Sequence, residues 1–445
     1  MRQQLLLRSL AAALLAGAGA AQRVANVLDF GADATGRSLT TAAFVAALDA
    51  LAPAGGVLYV PPGTYLLSPF NVTTSHVELR LDNATLRATQ NFSAWQIIQP
   101  LPSYGRGRDF PGPRYEPLIG LWNVTHVRVT SNSSGPSVID GQGAAWWAAV
   151  VDGSLKVTPG HLLEALWSSF IELDRVHLVD SPFWTIHIYA SEYVHVHDLQ
   201  VTAPTHSTNT DGCDPDSSSH VLLERLNIST GDDCIAIKAG WAPWATWHHG
   251  VRAGYSVPTT NVTIRELTCT TQSACLAVGS EMSGGVADVT ATGIRCLQAG
   301  QGLNVKSALG RGGYIRNVTF ADVAFGPGRV GVAFAVVGSY RDQYPPAPVN
   351  ATLVPLVGGV TIRNATAVGA AGSLGSVGDF SGLAGAGEGE ITGVTIEDVD
   401  VTAGLAPGGK PAWACANVSG TSARVLPAPC AQLAAAGPGG AARAA

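Results

Sequence analysis

Carboxylates supply the most conspicuous chemistry in this sequence. The stretch "STGDDCIAIKAG" (229–240) sets Asp232 beside Asp233 just ahead of a β-branched run, and "NTDGCDPDSS" (209–218) carries Asp211. Aligning Cys213 with Cys234 brings Asp211 level with Asp232. Carboxylates crowded on one patch repel one another, so at least one keeps its proton while its neighbours stay ionised. Hydrolysis of a glycosidic bond uses that division: one acid protonates the leaving oxygen while another carboxylate activates water. The same residue types also form turns or ligate calcium, and residue types alone leave those readings open.

The elements that must bring these acids together show in a repeat. "VLLERLNISTGDDCIAIK" (221–238), "VTIRELTCTTQSACLAVGS" (262–280) and "VTATGIRCLQAGQGLNVK" (289–306) superpose, each with an apolar or Cys position (Ile228, Cys269, Cys296) seven residues before another apolar one (Ile235, Leu276, Leu303). An insertion at about 240–258 swells one interval. Short period-2 strands recurring every 20–30 residues or so, with Gly/Asn/Asp turns and no helix between, predict a solenoid. A parallel β-helix fits, because stacking each strand on its equivalent one coil away removes the helical crossovers that parallel strands otherwise need. The leucine-rich-repeat consensus is absent, and a propeller would show tighter four-strand blades. "TAAFVAALDALA" (41–52) has helical spacing and is expected to cap the open end. Residues 366–389, rich in Gly and Ala, read as an irregular loop, and 431–445 as a disordered tail.

With 445 residues, 46% hydrophobic and only 13% charged, the chain has ample material for a large core. Its net charge of −6 and the lack of a basic stripe argue against nucleic acid as a partner. "MRQQLLLRSLAAALLAGAGA" reads as a signal peptide over residues 1–20, with Arg2 and Arg8 flanking an apolar run and a small-residue cleavage site. No other stretch is long and apolar enough to cross a bilayer, so no membrane partner is expected. Sequons at Asn71, Asn83, Asn91, Asn123, Asn132, Asn227, Asn261, Asn317, Asn350, Asn364 and Asn417 agree with secretion, some of them as buried ladder positions that carry no sugar. The seven cysteines all lie beyond residue 212, and their odd number leaves at least one thiol unpaired within the chain. Cys415 and Cys430 are expected to bridge; Cys213/Cys234 and Cys269/Cys296 stack one coil apart with parallel side chains, and their pairing stays open. No Cys/His cluster has zinc-ligand spacing, so neither a metal nor another cofactor is expected.

Further motifs give these elements a family likeness. "VLDFGAD", "AFVAALDAL" and "GGVLYVPPGTYLLSPF" precede "PLIGLWNVTHVRVT", "IDGQGAAWW" and "DSPFWTIHI", and "GSEMSGGV", "GRGGYIRNVTF" and "WACANVSG…LPAPC" follow the two acidic motifs. Over most of residues 24–430 the sequence resembles the polygalacturonases, glycoside hydrolase family 28, in their plant and bacterial-type branch. The resemblance implies an all-β, single-domain right-handed parallel β-helix over 21–430. It also implies an inverting hydrolase of α-1,4-galacturonan or a related pectic chain, secreted to the extracellular space or cell wall, needing no metal and acting as a monomer.

Carried over by motif, Asp232 is the general acid, while Asp211 and Asp233 hold the water and act as base. Lys306 matches a lysine that grips the substrate carboxylate, and Asn209 belongs to the same cleft floor. Lys238, Arg311 and His187 are further candidates for lining it, with a ladder histidine whose tip reaches solvent as the other reading of His187. Three positions depart from the pattern. A supporting histidine aligns with Ser273 in Gln272-Ser273-Ala274, and His248 and His249 in the insertion offer a substitute. An arginine aligns with Asn304, which loses a bidentate fork for carboxylate. A tyrosine aligns with Phe320, which cannot donate a hydrogen bond. These departures motivate the alternative of a wall-polysaccharide-binding protein with weak or no catalysis.

Overall fold

A computed structural model describes residues 22–104, 112–132, 137–242, 245–248, 251–255, 257–340, 350–383, 389–407 and 412–433, with the backbone alone for 245–248 and 251–254. These residues form two compact units, one ending at Asp232 and the other beginning at Asp233. The signal-peptide reading and residues 434–445 of the tail fall outside the described residues.

The first unit is a stack of parallel coils. Leu58, Leu79, Val129, Leu173, Val196 and Leu223 stand in register on successive strands. All six are 0% exposed, and they form one inward ladder. Burying each such side chain stabilises the fold by roughly 1.5–3 kcal/mol, and period-2 alternation turns the intervening polar residues outward. A second ladder leads to the acids: Phe70–Val72, Ile119–Trp122, Leu163–Leu166, Ile186–Tyr189 and Cys213–Asp216 pair in that order. At one corner His76, His126, Phe170, Tyr193 and His220 all adopt positive φ. Their rings stack at 4.6–4.9 Å, which offsets the strain of the left-handed backbone at bulky residues. The expected helix spans Thr41–Leu51 and buries Phe44, Ala47, Leu48 and Leu51 against the first strands. A second helix, Ala144–Val151, was not expected; it is anchored by Trp146, whose ring meets Phe92, Trp95 and Tyr115.

The second unit repeats the plan. Thr259–Thr270 pairs with Val286–Lys306, then Tyr314–Phe325, Val360–Ala367, Ile391–Asp400 and Val418–Leu426. The superposed segments hold their predicted register, Cys269 opposite Cys296 and Ile235 opposite Leu276 opposite Leu303. The loop reading of 366–389 is corrected: Leu374–Ser381 is a strand paired on both sides. Its Gly378 is small because the next coil's Trp413 fills the space, and a Cβ there would lie 2.3 Å from the indole. The tail reading is corrected at its start, since Ala431–Leu433 is a 3-10 turn with Leu433 buried. In the insertion, Ala245–His248 pairs antiparallel with Val251–Gly254, while His249 lies outside the described residues.

Several sequon asparagines are turn residues. Asn83, Asn123, Asn261, Asn317, Asn364 and Asn417 sit at positive φ, which Asn tolerates better than most residues. None of the eleven is buried, correcting the expectation that some are core ladder positions. Two cysteine bridges form. Cys415–Cys430 is the expected one, and Cys234–Cys269 joins neither stacked pair; Cys213, Cys275 and Cys296 are free and buried. Among the described residues no helix is long and apolar enough to cross a membrane.

Candidate active site

In the first unit Asp211 opens the strand Cys213–Asp216, and Asp232 follows the bend after Ser219–Ser229. A hydroxyl cluster fastens the two stretches together. Thr230 Oγ1 donates to the Thr210 carbonyl, the Gly231 N–H donates to Thr210 Oγ1 at 3.1 Å, and Ser207 Oγ meets that oxygen at 2.6 Å. Only glycine fits at 231, because a Cβ would lie 2.0 Å from the Ser207 carbonyl oxygen. Carboxylate oxygens of Asp211 and Asp232 consequently lie within 4.8 Å of each other. Asp211 is buried, whereas Asp232 and Asn209 are half-buried, Asn209 with a left-handed φ of 50°.

The second unit begins with Asp233, which is 1% exposed yet surrounded by donors. Ser273 Oγ donates to Oδ1 at 2.6 Å and the Ala274 N–H to the same oxygen at 2.9 Å, while Lys306 Nζ donates to Oδ2 at 2.8 Å. Burial pushes this carboxyl upward, but Lys306, Lys238 and the hydrogen bonds from Lys306 and Ser273 outweigh it and hold the group below its ordinary range. Asp233 is therefore a fixed anion. Lys306 ends the strand Val286–Lys306, and its ammonium lies 5.1 Å from the centroid of the Tyr340 ring. Asn304, two residues earlier, shares its face, and its Oδ1 is buried with no hydrogen-bond partner. Lys238 Nζ stands 3.8 Å from Glu281 Oε2, and the buried Arg311 guanidinium lies over the Trp241 indole at 4.8 Å.

Residues 113–426 match the family described as "Glycosyl hydrolases family 28", and residues 24–142 match "Rhamnogalacturonase A/epimerase, pectate lyase-like". The chain belongs to glycosyl hydrolases family 28. A probable polygalacturonase of Vitis vinifera is 36% identical over 424 residues, covering 93% of this chain and 81% of that one. An endo-polygalacturonase of Pectobacterium carotovorum subsp. carotovorum is 28% identical over 271 residues, 58% of this chain and 62% of the relative. The solved polygalacturonase from Erwinia carotovora ssp. carotovora superposes with a TM-score of 0.70 at 23% identity, covering 90% of this chain and 97% of that one. The exopolygalacturonase from Thermotoga maritima superposes at 0.67 and 21% identity, covering 94% and 92%. These likenesses show the fold, a right-handed parallel β-helix.

In this family 28 glycoside hydrolase several side chains stand elsewhere than sequence reasoning expected. His187 is fully buried, which corrects the reading that its tip reaches solvent. Its Nδ1 faces Glu164 Oε1 at 2.9 Å and its Nε2 faces Asp216 Oδ2 at 3.2 Å, an arrangement that favours an imidazolium donating from both nitrogens. Burial alone would lower its pKa, and the two carboxylates raise it. Arg114 Nη1 alone donates to both Glu164 oxygens, at 2.8 and 3.0 Å, and the Tyr104 hydroxyl donates to Asp216 at 2.5 Å. His187 and Arg114 line a small cavity with Leu101, Tyr104, His161 and Trp184. Phe320 is corrected outright: it stands in register with Ala291 and Ile362 in the core, 1% exposed, and has no place beside Lys306. The aromatic ring at Lys306 is Tyr340, which sequence reasoning missed because it lies beyond the repeating strands. Ser273 stands on Asp233, and its hydroxyl supplies a donor that the lost histidine was expected to provide elsewhere.

Proposed function

We propose that this family 28 hydrolase is secreted and cleaves α-1,4-galacturonan or a closely related pectic chain with inversion. Asp232 protonates the glycosidic oxygen as the anomeric C–O bond breaks. A water adds to the anomeric carbon and gives up its proton to the carboxylate pair of Asp211 and Asp233. The fixed anion at Asp233, one peptide bond from the half-exposed Asp232, is the observation that carries this reading. A base must be ionised when the acid is not, and three donors on Asp233 favour its ionised form. The pectic substrate follows from the relatives named polygalacturonases and from cations in the same unit. Lys306 donates to Asp233, and its ammonium supplies the positive charge that a uronate carboxylate would pair with. Asn304, in place of a guanidinium, leaves recognition of that carboxylate to Lys306, Lys238 and Arg311.

Inversion rests on the family, because the Asp211 and Asp232 carboxylates, within 4.8 Å, are closer than the roughly 6.5–9.5 Å usual for inverting glycosidases. The test is anomer-resolved NMR of the first product from oligogalacturonides, with Asp232→Asn as the inactive control. An inverted anomer and loss of reducing-end release by about 100-fold or more in the variant support the proposal. A retained anomer overturns the stereochemistry. Binding of pectic glycans with no turnover overturns the enzyme reading in favour of a wall-polysaccharide-binding protein. The core placement of Phe320 and the donor role of Ser273 remove two of the three departures that motivated that alternative.

A further inference from the structure

Away from the acids, two imidazoles and a carboxylate meet on the outer face of the first unit. Ser169–Asp174 and Glu192–His197 are neighbouring parallel strands, with Glu172 opposite His195 and Asp174 opposite His197. Val194 and Val196 point into the core at 0% exposure, so alternation sets His195 and His197 side by side on the outer face. Their ring centroids are 4.1 Å apart. We propose that Glu172, His195 and His197 form a binding site for one divalent transition-metal ion of the zinc class, clamping two adjacent coils together.

The spacing suits such an ion. One ligand atom from each of the three side chains already lies within 4.8 Å of the others, and His197 Nε2 is 3.1 Å from Glu172 Oε1. Ligands on a tetrahedral ion with bonds near 2.0–2.1 Å stand about 3.3 Å apart, so little movement is needed. The outer shell is also in place. His197 Nδ1 lies 2.6 Å from Asp198 Oδ2, which directs the Nε2 lone pair toward the ion, and Arg225 holds Asp198 at 2.7 and 3.0 Å. Glu224, opposite His197 in register and 3.1 Å from His195 Nε2, can supply a fourth ligand. Arg128 does not block the carboxylate: its fork rests on Asp174 at 2.8 and 2.9 Å, and it approaches Glu172 only to 3.5 Å. Side-chain exposures of 16%, 24% and 13% for Glu172, His195 and His197 leave an entry path. Two imidazole nitrogens with one carboxylate match zinc, nickel or copper, whereas calcium and magnesium favour all-oxygen sets. Sequence reasoning expected no metal because Glu172 comes from another coil, and no linear spacing reveals it.

The experiment uses untagged full-length protein, freed of metal by chelation and titrated with zinc chloride by calorimetry, with cobalt(II) absorption as a second probe. One zinc per chain should bind, Tm should rise, and cobalt should give the intense visible bands of a low-symmetry N/O site. His195→Gln and His197→Gln should each weaken zinc binding by about 100-fold, and Asp198→Asn by about 10-fold. His76→Gln, in a separate imidazole pair with His126, should leave the affinity unchanged. Should a histidine variant fail to fold, Glu172→Gln carries the same expectation with the side-chain shape preserved. Absence of stoichiometric zinc binding, or affinity untouched by these ligand replacements, overturns the site.

Discussion

Replacing Lys306 with Met isolates what keeps Asp233 ionised. The ammonium stands 2.8 Å from Oδ2, with both groups buried. At an effective dielectric near 20 that pair is worth about 6 kcal/mol of Coulomb attraction. Removing the lysine also removes its own desolvation, while the donors at Ser273 and Ala274 and the attraction of Lys238 remain. The expected net loss at neutral pH is about 3 kcal/mol, the low end for stranding a buried charge. The pH dependence identifies the cause. In the native protein Asp233 is depressed, so its contribution is present above the unfolded pKa near 3.9 and fades as pH falls through the folded value. Without Lys306 burial dominates, the folded pKa rises above the unfolded one, and the variant regains stability as acid neutralises the carboxyl. Urea unfolding at about pH 7 and pH 4 should show the deficit shrinking to about 1 kcal/mol at the lower pH. A deficit equal at both values would refute the claim that Lys306 acts through Asp233.

Other perturbations follow from the same contacts. Ser273→Ala removes the 2.6 Å donor from Asp233, should cost about 1.5–3 kcal/mol, and should move the acidic limb of the pH–rate profile upward; an unmoved limb would separate Ser273 from the base. Cys269→Ala opens a bridge spanning 35 residues and should lower stability by about 4 kcal/mol in the chain-entropy picture, measured by urea unfolding. Peptide mapping without reduction should recover Cys234–Cys269 and Cys415–Cys430, with Cys213, Cys275 and Cys296 as thiols. His187 has a raised folded pKa, so its contribution is complete below about pH 6.5 and is lost as pH rises through the folded value. His187→Gln should therefore destabilise most near pH 5.5, by about 3 kcal/mol, and an equal deficit at about pH 9 would refute the imidazolium.

The coil plan was legible because stacking makes equivalent residues recur, and the recurrence survived into register at Val262 opposite Val289 and Cys269 opposite Cys296. What failed was local. Phe320 was misplaced because one residue of parity decides between core and surface, and it shares the parity of Ala291 and Ile362. The strand at 374–381 hid behind two glycines: Gly375 abuts the Gly331 backbone, and Gly378 makes room for Trp413, a residue 35 positions away in register with it. The helix at 144–151 is too short for periodicity to separate from a buried strand. Tyr340, Trp241 and Glu281 lie between strands, where no repeat points to them.

Buried charge is a weak sign of stability, since an apolar pair of similar volume often serves as well or better. That makes the two buried networks informative in different ways. Around His187 one imidazolium and one guanidinium face two carboxylates beneath aromatic side chains, with Arg114 Nε and Nη2 buried and unpartnered. The charges balance, so the network can be read as a device for fixing the strands that carry Glu164, His187 and Asp216. Asp233 is different. Three donors keep one carboxylate ionised at the first residue after Asp232, which is the more exposed acid and the proposed proton donor. A scaffold that needed only a turn there could have used Asn and Gly and avoided desolvating an anion. Holding one carboxylate charged while its sequence neighbour stays open to solvent would separate base from acid, the division that the proposed mechanism of glycoside hydrolysis requires.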